Sequence, residues 1–151
     1  MFCFGKYDKY IKTGDATNQS LSQRIEYYKV SYYLIKRNFL FGVGSGDLLK
    51  ESLMQLERMD SKLDKEFWYI VHNQFVSEFS TLGLIGFLIF VLAIFSPFVK
   101  QSLRRSYLFV VFYLIMILSF LSDNTLETQL GVSFCSFFYC LTLAHSLPVK
   151  Q

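Results

Sequence analysis

Charge is scarce in this chain. Of its 151 residues, 18% are Asp, Glu, Lys or Arg, where a soluble domain carries about 25%. A water-facing surface all round is therefore not the expectation. The net charge of +3 is too small to argue for nucleic acid, and no basic stripe interleaves with aromatics as a nucleic-acid surface would require. Cysteine is scarce as well. Cys3 stands alone, and Cys135 and Cys140 sit five apart in an apolar run. That is not a metal-ligand spacing, so they read as small packing residues. Nucleotide-binding signatures are missing. "FGVGSGD" (41–47) lacks the Gly-Lys-Ser/Thr of a phosphate-binding loop. Its Gly-x-Gly-x-Gly spacing follows no strand, so it is no dinucleotide fingerprint either. Read alone it is a turn, whose glycines also let backbone N–H groups approach an anion. The opening "MFCFGKYDKYIK" is too short in apolar residues for a signal peptide and has no cleavage site.

What is abundant is apolar and aromatic: 52% hydrophobic residues, with 17 Phe and 10 Tyr. The few charges are unevenly placed. Residues 1–72 hold 11 of the 15 Lys and Arg and 9 of the 12 Asp and Glu, and residues 73–151 hold the rest. Uncharged runs occupy 79–99, 106–122 and 128–149. A helix needs about 20 apolar residues to cross the hydrocarbon core, so spans are expected at about 75–99, 106–122 and 131–147. The fold class is an all-α membrane protein. The loop 100–105 carries Lys100, Arg104 and Arg105, whereas 123–129 carries Asp123 and Glu127 and no cation. Cations in short loops stay on the cytoplasmic side. Residues 1–72 and 123–130 are thus expected outside and 100–105 inside. With nothing in 1–72 to export it, the chain is expected to be the C-terminal part of a larger polytopic protein. The other account is a translocated N-terminal tail.

Two amphipathic helices are expected within 1–72. "SLSQ" at Ser20 has the capping-box pattern, and Leu21, Ile25, Tyr28, Tyr32 and Ile35 recur at helical spacing up to about Arg37. Asp47 is placed to cap a second helix, whose apolar stripe is Leu49, Leu53, Leu56, Met59 and Leu63. Trp68 and Tyr69 fit an interfacial aromatic belt. The next helix is expected to begin near His72, which puts Phe79, Gly83, Gly86 and Phe90 within about 40° of it. Such a face, missing two side chains, admits a neighbouring helix or a lipid chain.

"SQRIEYYKVSYYLIKRNFLFGVGSGD" followed by "HNQFVSEFSTLGLIG" resembles the O-antigen ligase and O-antigen polymerase superfamily. The signature is His, then Asn, Ser or Gln, nine residues, then Gly-x-x-Gly, matched by His72, Asn73, Gly83 and Gly86. An arginine opening an extracytoplasmic helix and a later Gly-x-Gly turn match Arg24, Gly42 and Gly44. Where the family often has a proline before that turn, this chain has Phe39. The resemblance covers about residues 20–147 and implies a large periplasmic loop with the last transmembrane helices. It implies a glycosyltransferase of the bacterial inner membrane that uses no nucleotide sugar. A polyprenyl-diphosphate-linked glycan would be the donor. Lipid A core, a growing polysaccharide or a protein would be the acceptor. No metal or other cofactor is implied, and no Asp-x-Asp motif is present.

On that resemblance Arg24 would stabilise the departing diphosphate, since a guanidinium is planar and always charged. His72 would take the acceptor proton, since imidazole titrates near the working pH. Arg37 is a second phosphate candidate. Asn73, Gly42 and Gly44 are candidates for substrate binding, and Gly83 and Gly86 for structure. Glu78 and Glu127, near span ends, read as structural. Two other classes share these features: a transporter subunit, in which Arg24 and His72 bind a solute, and a non-catalytic membrane interaction protein.

Overall fold

The computed structural model describes residues 20–99 and 106–145. Expectations that rest on Cys3, the loop 100–105 and Lys150 lie outside them. The described residues are helical and contain no strand: α1 (Ser20–Arg37), α2 (Leu48–Arg58), α3 (Gln74–Phe95), α4 (Tyr107–Ser122) and α5 (Gln129–His145). Short 3-10 turns lie at Lys65–Phe67, Ser96–Val99 and Thr125–Glu127. The chain divides into two units. One comprises the described residues up to His72 with 76–87, and the other comprises 73–75 with 88–99 and 106–145.

The first unit is built on α1 and α2. Its core gathers Tyr27, Val30 and Leu34 from α1, Leu48 and Leu56 from α2, and Leu63, Ile70 and Val71 from the segment that follows. Fully burying an aliphatic side chain such as Leu34 or Leu56 stabilises by about 1.5–3 kcal/mol. Both helices form where expected, but each is turned from the expected face. The stripe read along α1 leaves Leu21, Tyr28 and Tyr32 exposed, while Ser22, Glu26, Tyr27, Val30, Ser31 and Leu34 are buried. Two small serines line the inner side, and Ser31 Oγ returns a hydrogen bond to the Tyr27 carbonyl at 3.0 Å. On α2, Leu48, Ser52 and Leu56 face inward and Leu49 is exposed. Asp47 stands at the N-cap without a side-chain capping bond.

Both helices end by recognisable chemistry. Lys36 and Arg37 occupy the last turn of α1, where cations offset the partial negative charge of the terminal carbonyls. At the end of α2, Asp60 takes a left-handed conformation (φ 48°). Asp60 N–H then donates to Glu57 O and Ser61 N–H to Leu56 O, both at 3.1 Å. This is the Schellman arrangement, with Asp where Gly is usual. Leu63 is thereby turned back into the core.

In the second unit, Phe109, Phe112, Tyr113, Met116 and Phe120 of α4 form a core with Cys135 of α5. Phe75, Phe90, Phe98 and Phe138 pack around it. Ser106 caps α4 by accepting from Phe109 N–H. Leu114, Ile115 and Leu118 remain exposed on the other side of α4. A helix apolar all round suits either a large core or a lipid environment. Of the three expected spans, Gln74–Val99 is long and apolar enough to cross a membrane. The other two are shorter apolar helices, Tyr107–Ser122 and Gln129–Leu141.

Candidate functional site

Within the first unit, His72 lies two residues before α3, half-buried between two tyrosines. Its ring stacks on Tyr69, with centroids 5.6 Å apart and planes at 23°. Tyr27 approaches from α1, 6.1 Å away and tilted by 60°. Tyr27 is itself fixed, because its hydroxyl donates to the Phe67 carbonyl. Burial raises the Tyr27 pKa, so the phenol stays protonated and remains a donor. Arg24 lies three residues before Tyr27 on α1, with its side chain exposed. Glu26, beside Tyr27, is buried and pairs with Lys29 at 2.7 Å. Sequence reasoning passed over Tyr27 as a site element and took Tyr69 for a membrane anchor. The signal was present: each tyrosine stands three residues from a signature residue, Tyr27 after Arg24 and Tyr69 before His72.

The other sequence-identified residues have structural partners. Arg37 is ion-paired with Glu51 of α2. Asn73, in the second unit, clamps the turn after α4: its N–H donates to Asn124 Oδ1 at 3.0 Å and its Nδ2 to the Leu121 carbonyl at 3.2 Å. Gln74 continues the clamp, its side-chain oxygen accepting from Leu126 N–H at 2.8 Å. Asn124 and Gln74 were not singled out in the sequence, where nothing but the polarity of "HNQ" and "DNT" marked them. Glu127 lies exposed in the 3-10 turn that ends this stretch.

The glycines of the two motifs meet each other. Helix α3 is broken at Gly83, whose φ of 67° and ψ of −171° belong to a region that is essentially glycine's alone. In an unbroken helix, Leu84 and Ile85 N–H would bond to the Ser80 and Thr81 carbonyls. Those carbonyls instead accept from Val43 and Gly44 N–H, each at 2.9 Å. Leu84 and Ile85 N–H in turn donate to the Phe39 and Leu40 carbonyls at 2.8 and 3.3 Å. The loop after α1 is thus laced into the helix break, backbone to backbone. A Cβ on Gly42 would lie 2.2 Å from Thr81 O, and one on Gly83 would lie 2.4 Å from Gly42 N. Phe39 packs on Phe79 at 5.7 Å, and Phe79 stacks on Phe87 across the break at 5.0 Å.

This overturns two sequence expectations in their geometry. The Gly83 position is filled by a loop of the same chain rather than by a helix or a lipid chain, and Gly86 is crowded by Leu82 of its own helix. The N–H groups of Gly42, Val43 and Gly44 all donate to carbonyls, Gly42 to Asn38 O at 2.8 Å, so they do not form an anion cradle. A hollow of about 610 Å³ in this unit is lined by Ile25, Tyr28, Lys29, Tyr32, Tyr33 and Met59, and includes neither His72 nor Arg24.

These elements are a helical unit with a tyrosine-bracketed histidine and an apolar helix, long enough to cross a membrane, that is laced to its loop. A family model described as O-antigen ligase matches residues 2–91, more than half of the sequence, and the chain belongs to that family. It is a family of membrane proteins, glycosyltransferase-like ligases and polymerases that handle sugar donors and acceptors. The match runs through Arg24, the interlocked glycines and His72. No curated protein and no solved structure matches the chain.

Proposed function

We propose that this chain carries the donor- and acceptor-handling residues of a bacterial inner-membrane glycosyltransferase in surface polysaccharide synthesis. It transfers glycan from a polyprenyl-diphosphate carrier to an acceptor hydroxyl on lipid A core, polysaccharide or protein. Residues 1–72 and 123–130 face the periplasm, 100–105 face the cytoplasm, and α3 crosses the bilayer between them. The acceptor oxygen attacks the anomeric carbon as the bond from that carbon to the diphosphate breaks. The acceptor proton passes to the His72 imidazole, and the diphosphate leaves with the bonding electrons. Arg24 meets the leaving diphosphate with a two-pronged, always-charged donor.

The family membership supports the reaction class. The observation that carries the assignment of residues is the contact of Tyr27 with His72 at 6.1 Å. It brings the histidine against α1 less than one helical turn past Arg24. His72 stands between a water-facing unit and an apolar helix, the boundary at which a lipid-linked sugar diphosphate is itself divided. In this reading Arg37, Gly42 and Gly44 act by shaping the first unit, and Asn73 by holding the turn after α4 in the second.

Arg24 tests it. In the reconstituted full-length enzyme, Arg24→Lys keeps the charge and loses the bidentate fork. It is expected to be nearly as inactive as Arg24→Ala, with both variants folded and inserted. Full glycan transfer by Arg24→Ala would remove this residue from the site.

A further inference from the structure

The loop laced into α3 ends in three consecutive exposed apolar residues. Phe39 is 48% exposed, Leu40 51% and Phe41 76%. A run of that kind on a water-facing loop is an anomaly, and its position supplies a reason. The loop backbone is hydrogen-bonded to residues 80, 81, 84 and 85 of α3, so its depth is that of the helix break. Upstream of the break α3 is polar, with Ser77, Glu78, Ser80 and Thr81. From Leu82 onward, 18 residues up to Val99 carry no charge, close to the roughly 20 needed to cross the hydrocarbon core.

We propose that Phe39, Leu40 and Phe41 form a wedge inserted into the outer leaflet of the lipid bilayer. This inference rests on the reading that α3 spans the membrane. Non-helical backbone is tolerated at membrane depth only where its polar groups are satisfied by protein. The interlock does this: the Phe39 and Leu40 carbonyls take the N–H groups that the helix break releases, and Val43 and Gly44 N–H take the released carbonyls. The side chains are then free to face lipid while the backbone is not exposed to it. At the start of the span, Leu82 and Ile85 are also exposed, and Ile85 N–H is bonded to the Leu40 carbonyl. Lys36 lies three residues before the wedge, near the phosphate layer of anionic lipids. The occupant is therefore bilayer lipid. The wedge ties the helical unit to the membrane at a second point beside α3, and so holds His72 and Arg24 at the height of a carrier lipid's headgroup.

The test is site-directed spin labelling of the full-length protein, with native cysteines replaced, in vesicles of phosphatidylethanolamine and phosphatidylglycerol. Labels are placed at Phe41→Cys and Leu40→Cys, with Glu57→Cys as the water control and Leu88→Cys as the lipid control. At positions 41 and 40, collisions with oxygen are expected to exceed those with a water-soluble nickel chelate, the reverse of the order at 57. If 88 reads as lipid while 41 and 40 read as water, the wedge is wrong and the spanning helix stands. If 88, 41 and 40 all read as water, the spanning reading fails and the wedge fails with it. Phe41 is mostly exposed, so its replacement leaves the core intact. The two positions are read independently, so the other decides should one variant be poorly folded.

Discussion

Adding one methyl group at successive glycines should produce a steep, ordered loss of stability. At Gly46 a Cβ meets nothing within 4 Å and the backbone φ is not positive, so Gly46→Ala should be close to neutral. At Gly44 the space is equally open but φ is +92°. Gly44→Ala should therefore cost only the backbone strain, about 1–2 kcal/mol. At Gly83 both penalties combine. The φ/ψ pair belongs to glycine, worth about 1–3 kcal/mol, and the new Cβ would sit 2.4–2.5 Å from backbone atoms of Gly42 and Leu40. No rotamer relieves a clash with backbone, so the loop must withdraw. Withdrawal sacrifices four hydrogen bonds at about 0.5–1.5 kcal/mol each. The sum, roughly 3–9 kcal/mol, rivals the whole stability of a typical domain at about 5–15 kcal/mol. Gly42→Ala should behave like Gly83→Ala, because the two clash through the same close approach. Gly42→Ala and Gly83→Ala combined should cost little more than either alone, since the loop can be expelled only once. The assay is thermal unfolding in detergent, with hydrogen exchange at Val43, Gly44, Leu84 and Ile85 reporting the interlock. Gly83→Ala melting with the parent and keeping protection at Leu84 would refute the interlock.

Two further perturbations read neighbouring parts of the structure. Asn124→Ala removes the acceptor for the buried Asn73 N–H and should cost about 1–3 kcal/mol while leaving donor affinity unchanged. A loss of donor affinity with unchanged stability would return Asn73 to the substrate. Tyr27 has a pKa raised by burial, so the stability gained from its neutral form is complete below the unfolded tyrosine value and is lost as pH rises through the folded one. Tyr27→Phe should thus lower stability at neutral pH by about 1 kcal/mol, for the bond to Phe67 O. It should also flatten the alkaline decline, as followed by melting temperature from pH 8 to 11. An equal slope in parent and variant would mean the phenol is not held protonated.

The helices of residues 1–72 were legible because their apolar spacing is helical and glycines or a cap residue bound them. Their orientation was not. The stripe from Leu21 to Ile35 is the more apolar side of α1, yet Tyr27, Val30 and Leu34 with two serines face the core. Near a membrane, apolarity marks contact with lipid or protein and does not single out the interior. The signature residues were legible as types and spacings, but their partners were not. Gly-x-x-Gly in a span reads as close helix packing, whereas Gly83 is needed by a loop far earlier in the chain. That Arg37 and Asn73 are engaged, by Glu51 and by the Asn124 turn, depends on long-range contacts that no local pattern records. The bracket on His72 was half legible, since Tyr69 is near in sequence and Tyr27 is near only in the fold.

The most direct measurement of the central claim is the rate of glycan transfer by His72→Ala, taken beside its affinity for the polyprenyl-diphosphate donor, in reconstituted full-length protein. Loss of a general base costs about 10²–10⁴-fold in rate. That loss is expected with donor affinity retained, because the proposed mechanism assigns the diphosphate to Arg24. A variant that keeps its rate and loses donor affinity would make His72 a binding residue. One unchanged in both would show that the imidazole between Tyr27 and Tyr69 takes no part in the reaction.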